Sequence, residues 1–417
     1  MLEQLQSDAL CAALISAAIL ALFVTGELLH RYRNVRVELT RKMTHVGAGL
    51  IVLTFPWLLE SPWTVAALSI SFGGLLAAGK ITGLLSSVHS VERRTSGAYY
   101  YPVAVIGTFW LSEGDPLLFC IPIAVMALAD TAAALVGQQV GENHYRVFDN
   151  KRTVEGSLAF FGLAMAICLV GLALAGQPGW PAMLIVALVA AIMATATEAI
   201  SVRGADNLFI PYTCFLVLDR TIRLGLHDLS GWVEGMLLGA IILVASFRSA
   251  ALTPAGGVTV FVVVTLAWAL GGLHWLLPLA AFYALYIATL PRDGKIRSDL
   301  DDVFPTTVGS MIVVLTFGHF GDASLFVPYL ATLTASGAIA LSRLAKVRGW
   351  PAIPLGFSGA LSPLIPVMAY QHDVPFPAIA IATCVGIAAF MALTNTHLAG
   401  RRLVASLLAG AVAWTVA

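Results

Sequence analysis

Apolar stretches of membrane length, or close to it, recur along the whole of this 417-residue chain, leaving little polar sequence to build anything else. They fall at about 9–29, 46–59, 63–79, 99–112, 116–137, 155–175, 181–200, 207–219 and 230–247. Others lie near 257–271, 275–290, 304–319, 325–342, 352–370, 376–393 and 402–417. A helix needs roughly 20 apolar residues to cross about 30 Å of hydrocarbon. The shorter stretches therefore read as tilted, broken or re-entrant segments. Charged residues make up only 11% of the chain, against about a quarter in a soluble domain, so a water-facing surface cannot be built. The expectation is an all-α polytopic transmembrane bundle of about fourteen to sixteen spans. Zero formal net charge argues against a nucleic-acid partner. The cysteines show neither metal nor disulfide spacing and read as small buried apolar residues. Residues 1–8 carry no base, and the apolar run after them is too long for a cleaved signal peptide, so it reads as the first helix.

The loops alternate in charge. With the N-terminus outside, the inner loops hold Arg31, Arg33, Arg36, Arg41 and Lys42, then Lys80, Arg93 and Arg94, then Arg146, Lys151 and Arg152, then Arg203. The opposite loops up to that point, near Glu60, Glu113–Asp115 and Gln177–Trp180, hold neither Lys nor Arg. The second half continues through Arg248, the Arg292–Arg297 loop, the Arg343–Arg348 loop and Arg401–Arg402; only Arg220 and Arg223 break the rule. This is the positive-inside pattern, and it predicts a bacterial-type inner membrane protein with the 130–157 region facing the cytoplasm.

Four polar clusters share that predicted side. They are Glu38–His45, the Lys80–Pro102 loop, the stretch from Asp130 to Ser157, and Thr197–Leu208. Asp130 ends an otherwise apolar segment with small neighbours, and an ionisable residue within a membrane span is a functional hypothesis by default. Acids beside a basic, Gly-punctuated loop suit phosphoryl transfer, where a polyphosphate needs a divalent cation and Lys/Arg neutralisation. Mg²⁺ takes one or two carboxylates together with substrate phosphates, and Asp130, Glu198 and Asp206 are the candidate ligands. Arg41, Lys42, Lys151 and Arg152 are the candidate phosphate contacts. Gly137 and Gly141 would admit backbone N–H groups close to an anion, and Gly156-Ser157 opens the next helix at its positive dipole end. Asp130 or His45 is the candidate base for a lipid hydroxyl arriving from the bilayer. Plainer readings exist: loop cations also set topology, His45 can sit at an interface, and Glu198 and Asp206 end a span.

The ordered set Arg41-Lys42-x-x-His45-x-x-x-Gly49, Tyr100-Tyr101-Pro102, Asp130-Thr131-(x)5-Gly137-(x)3-Gly141, Lys151-x-Thr153-x-Glu155-Gly156-Ser157 and Glu198-Ala199-(x)6-Asp206-Asn207-Leu208-x-x-Pro211 resembles the CTP-dependent polyprenol kinase family. Phytol kinases are the nearer match and dolichol kinases the more distant, over about residues 35–225. The resemblance implies transfer of the γ-phosphoryl group of CTP, or of UTP, to an isoprenoid alcohol with Mg²⁺. By similarity to the nucleotide loop of dolichol kinases, it implies nucleotide binding by Asp130, Gly137, Gly141, Lys151, Thr153 and Glu155. It also makes Asp206 and Asn207 active-site residues.

Residues 1–228 are thus expected to form a catalytic transmembrane domain and 229–417 a second one. The second resembles a degenerate relative of the membrane family that includes phytyl-phosphate kinase, through Leu252–Gly257, Asp293–Gly309 and Phe357–Ala360. That family's acidic motif would fall near Ser336–Leu344, which here holds no acid, so the second domain is expected to be non-catalytic. Asp299, Asp301 and Asp302 read as a solvated loop face. Two other functions are weighed. A CDP-lipid synthase would use CTP and Mg²⁺ but carries a signature absent here. A secondary transporter would show midplane interruptions in both halves, whereas these clusters concentrate at one face of the first.

Overall fold

The computed structural model describes residues 7–33, 35, 37–82, 97–147, 150–201, 204–249, 252–290, 300–370, 374–392 and 401–416. The loop cations Arg36, Arg93, Arg94, Arg203, Arg292, Lys295 and Arg297, and the acids Asp149 and Asp299, lie outside the described residues. The chain divides into two compact units, Met1–Leu226 and His227–Ala417.

The first unit starts with α1 (Ala9–Arg33), α2 (Val37–Val52), a short α3 (Phe55–Leu58), α4 (Pro62–Thr82) and α5 (Gly97–Leu111). Then come α6 (Pro116–Ala124), a π-helical turn (Val125–Ala129) and α7 (Asp130–Val140), which run on as one rod. A hairpin of β1 (His144–Val147) and β2 (Asn150–Thr153) leads into α8 (Val154–Ala175), α9 (Trp180–Ile200) and α10 (Asp206–Thr221). The polar loop of the sequence is therefore this hairpin, paired antiparallel from His144↔Thr153 to Val147↔Asn150. The α6–α7 rod and α9 form the core, where Phe119, Ile123, Met126, Val186 and Met193 are inaccessible to solvent.

The second unit holds α11 (Leu226–Ser249), α12 (Pro254–Thr289), α13 (Leu300–Phe320) and α14 (Phe326–Arg348). It ends with α15 (Ala352–Leu361), α16 (Leu364–Tyr370), α17 (Phe376–Ala392) and α18 (Arg401–Val416). Helix α14 runs through its middle, against α12, α13, α15, α17 and α18.

The expected all-α polytopic membrane bundle is what forms, and nine helices among the described residues are long and apolar enough to cross a membrane. The shorter stretches account for the difference from the span count read in the sequence. Segments 257–271 and 275–290 belong to one helical element, α12, broken at Gly272 (φ 65°). Segment 46–59 stops at Val52 and resumes as α3, whereas 352–370, though split into α15 and α16, still counts among the nine. Helix α10 has 16 residues, about 24 Å at the α-helical rise. It carries Asp206 at one end and an Asp219–Arg220 ion pair (3.3 Å) at the other, so the exceptional Arg220 arrives with its own counter-charge.

Candidate active site

The π turn prepares the site. Widening the helix just before Asp130 leaves backbone carbonyls out of the regular ladder, a distortion frequently found at functional positions. Side chains take them up. Thr131 Oγ1 donates to Ala127 O (2.9 Å), and His45 Nε2 lies 3.4 Å from Met126 O. A carbonyl can only accept, so that nitrogen carries the proton and Nδ1 keeps its lone pair. The His45 ring meets Tyr101 edge-on, centroids 5.4 Å apart.

Two ion pairs flank this turn. Lys42, buried on α2, donates to Asp130 Oδ2 at 2.6 Å and lies 3.5 Å from Asp130 O. Arg152, on β2, pairs closely with Glu198 of α9, lies 3.7 Å from Asp206 Oδ2, and donates to Ser201 O at 2.7 Å. The pairs share one field: Asp130 feels Arg152 as well as Lys42, Asp206 feels Asp130, Arg152 and Lys42, and Arg41 feels both aspartates. Three carboxylates (Asp130, Glu198, Asp206) thus face two cations (Lys42, Arg152), one negative charge in excess. Glu198 Oε2 is buried without a partner among the described residues. Arg41 is engaged by Glu38 at 2.7 Å, and Asn207 Nδ2 donates to Gly97 O at 3.1 Å.

The rest of the nucleotide-loop set goes elsewhere. Successive strand residues face opposite ways, so Arg152 turns inward while its neighbour Lys151 is exposed. Thr153 caps α8, its Oγ1 accepting from Gly156 N at 3.1 Å. Glu155 accepts from Asn143 N (3.1 Å) and Nδ2 (2.7 Å), closing the base of the hairpin. Gly137 and Gly141 make room for this cap. A Cβ on Gly137 would come within 2.6 Å of Thr153 Oγ1, and one on Gly141 within 2.5 Å of Thr153 Cγ2. Their lack of a side chain lets α7 meet the start of α8.

Beside the charges lies a cavity of about 150 Å³. Arg41, Thr44, His45, Tyr101 and Asn207 line its polar part, and Ile19, Phe23, Val52, Phe55, Leu68 and Leu76 its apolar part. Tyr101 Oη is buried there without a hydrogen-bond partner among the described residues. Sequence reasoning assigned Tyr101 no role, because a run of three tyrosines does not show which one turns inward.

One comparison decides the family. A phytol kinase from Synechocystis sp. is 34% identical to the chain over 201 residues, which cover 47% of the chain and 85% of that relative. The chain belongs to the phytol kinase family. No family model and no solved structure matches it. Membership of that family stands on the relative alone, and the geometry adds a cluster of opposed charges at the polar part of an otherwise apolar cavity.

Proposed function

We propose that the protein is an integral membrane prenol kinase that transfers the γ-phosphoryl group of CTP, or of UTP, to an isoprenoid alcohol of the phytol type. The observation that carries this reading is the meeting of two ion-pair systems, Lys42–Asp130 and Arg152–Glu198/Asp206, with a cavity polar at Arg41, His45 and Asn207 and apolar beyond. In these systems Lys42 and Glu198 are buried and the others partly so. Phosphoryl transfer asks a protein chiefly for positioning and charge stabilisation, and an isoprenoid alcohol has the polarity of that cavity.

In this reading the alcohol oxygen attacks the γ-phosphorus, the bond from that phosphorus to the β–γ bridging oxygen breaks, and CDP leaves. His45 is the better-placed base, because it lines the cavity and keeps Nδ1 free, whereas Asp130 is engaged by Lys42. Tyr101 Oη supplies the alcohol with the hydrogen-bond partner that the protein does not give that hydroxyl. Lys42, Arg152 and Arg41 exchange carboxylate for phosphate oxygens when the nucleotide enters. Exposed Lys151 and Arg146 on the hairpin attract it from solution.

The donor set also fits Mg²⁺. No group of three His, Cys, Asp or Glu side chains stands ready as a metal site among the described residues. Mg²⁺, however, takes only one or two carboxylates beside phosphate oxygens, and the cluster has an excess negative charge and an unpartnered Glu198 oxygen. Asp130, Asp206 and Glu198 are the residues that would hold it. Bound there, it would neutralise phosphate charge as it develops. The charge asymmetry of the loop sequences supports a site facing the cytoplasm from a bacterial-type inner membrane, where nucleotides are. Residues 1–228 are the catalytic domain in this proposal and 229–417 a non-catalytic one. In the second unit the Ser336–Leu344 stretch lies in the buried α14, with Arg343 its one charged residue.

The test gives purified protein labelled CTP, Mg²⁺ and a panel of isoprenoid alcohols, comparing wild type with Asp130→Asn. Prenyl monophosphate and CDP are the expected products, with loss in the variant. A CDP-lipid with pyrophosphate would instead identify a cytidylyltransferase.

A further inference from the structure

We infer that Phe55 closes the far end of the cavity and sets the longest isoprenoid tail the protein accepts. The inference rests on the prenol kinase reading and adds to it a residue that measures the substrate.

The cavity walls have a length. On α2 they run from His45 near the charges to Val52, seven residues or about 10 Å at the helical rise. On α4 they run back from Leu68 to Leu76, eight residues or about 12 Å. Between these walls the chain reverses direction, from the end of α2 at Val52 to the start of α4 at Pro62. Phe55 is the cavity-lining residue of that reversal and is 2% exposed. Phe55 therefore lines the end of the cavity opposite the charged groups.

That end is also tied down. Asp8, 1% exposed just before α1, accepts from Glu60 N (2.9 Å) and Ser61 N (3.0 Å) at the start of α4. A carboxylate accepting two backbone N–H groups makes charge-assisted bonds, roughly twice as strong as neutral ones. Helices α1 and α4, which bring Phe23 and Leu68 to the cavity, are thereby held together at the reversal. A tail of a few isoprene units fills the space between His45 and Phe55, and each further unit must displace the Phe55 ring.

Discrimination by space alone is worth about 10- to 200-fold for each methylene group, which makes the expected effect measurable. Full-length protein is given CTP or UTP, Mg²⁺, and geraniol, farnesol, geranylgeraniol or a nonaprenol, and kcat/KM is measured for each. Phe55→Ala is expected to raise the nonaprenol-to-farnesol ratio at least about tenfold, and Phe55→Trp to shift preference toward geraniol. Leu68→Ala and Phe55→Leu read the same direction if the first variants do not accumulate. An unchanged chain-length profile in variants that still phosphorylate farnesol overturns the ruler and leaves the kinase reading standing. If the wild type phosphorylates no prenol with either nucleotide, the kinase reading fails, and the ruler fails with it.

Discussion

The two units differ in the polar side chains they enclose. In the second, α14 carries Thr332, Thr334 and Ser336 through the core. The threonines satisfy themselves on their own helix, Thr332 donating to Tyr329 O (2.7 Å) and Thr334 to Ala331 O (3.0 Å), with Thr383 Oγ1 2.6 Å from Thr334 Oγ1. The first buries threonines in the same way, Thr131 on Ala127 O and Thr197 on Met193 O, but it also encloses Asp130 and Glu198, with Lys42 and Arg152 brought in from other elements. A threonine hydroxyl can find a backbone carbonyl within one turn, as Thr332 and Thr334 do, whereas Ser336 Oγ has no partner among the described residues. A carboxylate accepts only, so each needs a cation from a distant part of the chain. Buried charges of this kind are weak stabilisers, and the proposed chemistry rests on their presence in one unit.

The sharpest way to break that contrast is Asp130→Asn. It should lower kcat/KM by about 10³-fold, in the range found when a group stabilising transition-state charge is removed. Retained turnover would make the charged unit as structural as the other. Next is Lys42→Met, which strands Asp130 and should cost about 3–5 kcal/mol, measured by denaturation in detergent. Adding Asp130→Leu should return much of that stability and none of the activity; a double variant as unstable as the single would show that the pair holds the fold.

Tyr101→Phe sharpens the comparison differently. Its hydroxyl has no partner among the described residues, so stability should hold while prenol kcat/KM falls about tenfold, the worth of one hydrogen bond of about 1.5 kcal/mol. A loss of stability without a kinetic effect would make Tyr101 a packing residue. In the second unit, Thr334→Val should cost about 1 kcal/mol and leave kcat and KM alone; a kinetic effect would bring that unit into the reaction. The smallest change is expected for Lys151→Ala, a rise of about threefold in nucleotide KM that shrinks with added salt. A large, salt-independent effect would place Lys151 among the buried contacts.

Fold class was legible because hydropathy is additive along the chain. Span limits were less so, since a glycine break such as Gly272 and a reversal such as Val52–Pro62 leave the local composition apolar. Asp130, Glu198 and Asp206, which the fold gathers around Lys42 and Arg152, were legible as candidates because ionisable residues stand out against apolar sequence.

Sequence alone could not choose between neighbours. Arg41 and Lys42 look alike as loop-end cations, yet Lys42 reaches Asp130 while Arg41 pairs with Glu38 and lines the cavity. Lys151 and Arg152 are likewise adjacent, and strand alternation turns only Arg152 to the acids.

Sequence by itself determined that this chain lives in a membrane, that it is helical, and that its charges gather in particular segments. Those properties follow from each residue's own transfer free energy. Which charge meets which, which tyrosine turns inward and where the cavity ends were decided only by tertiary structure. They depend on directions fixed when distant helices pack, and no local window of residues contains them.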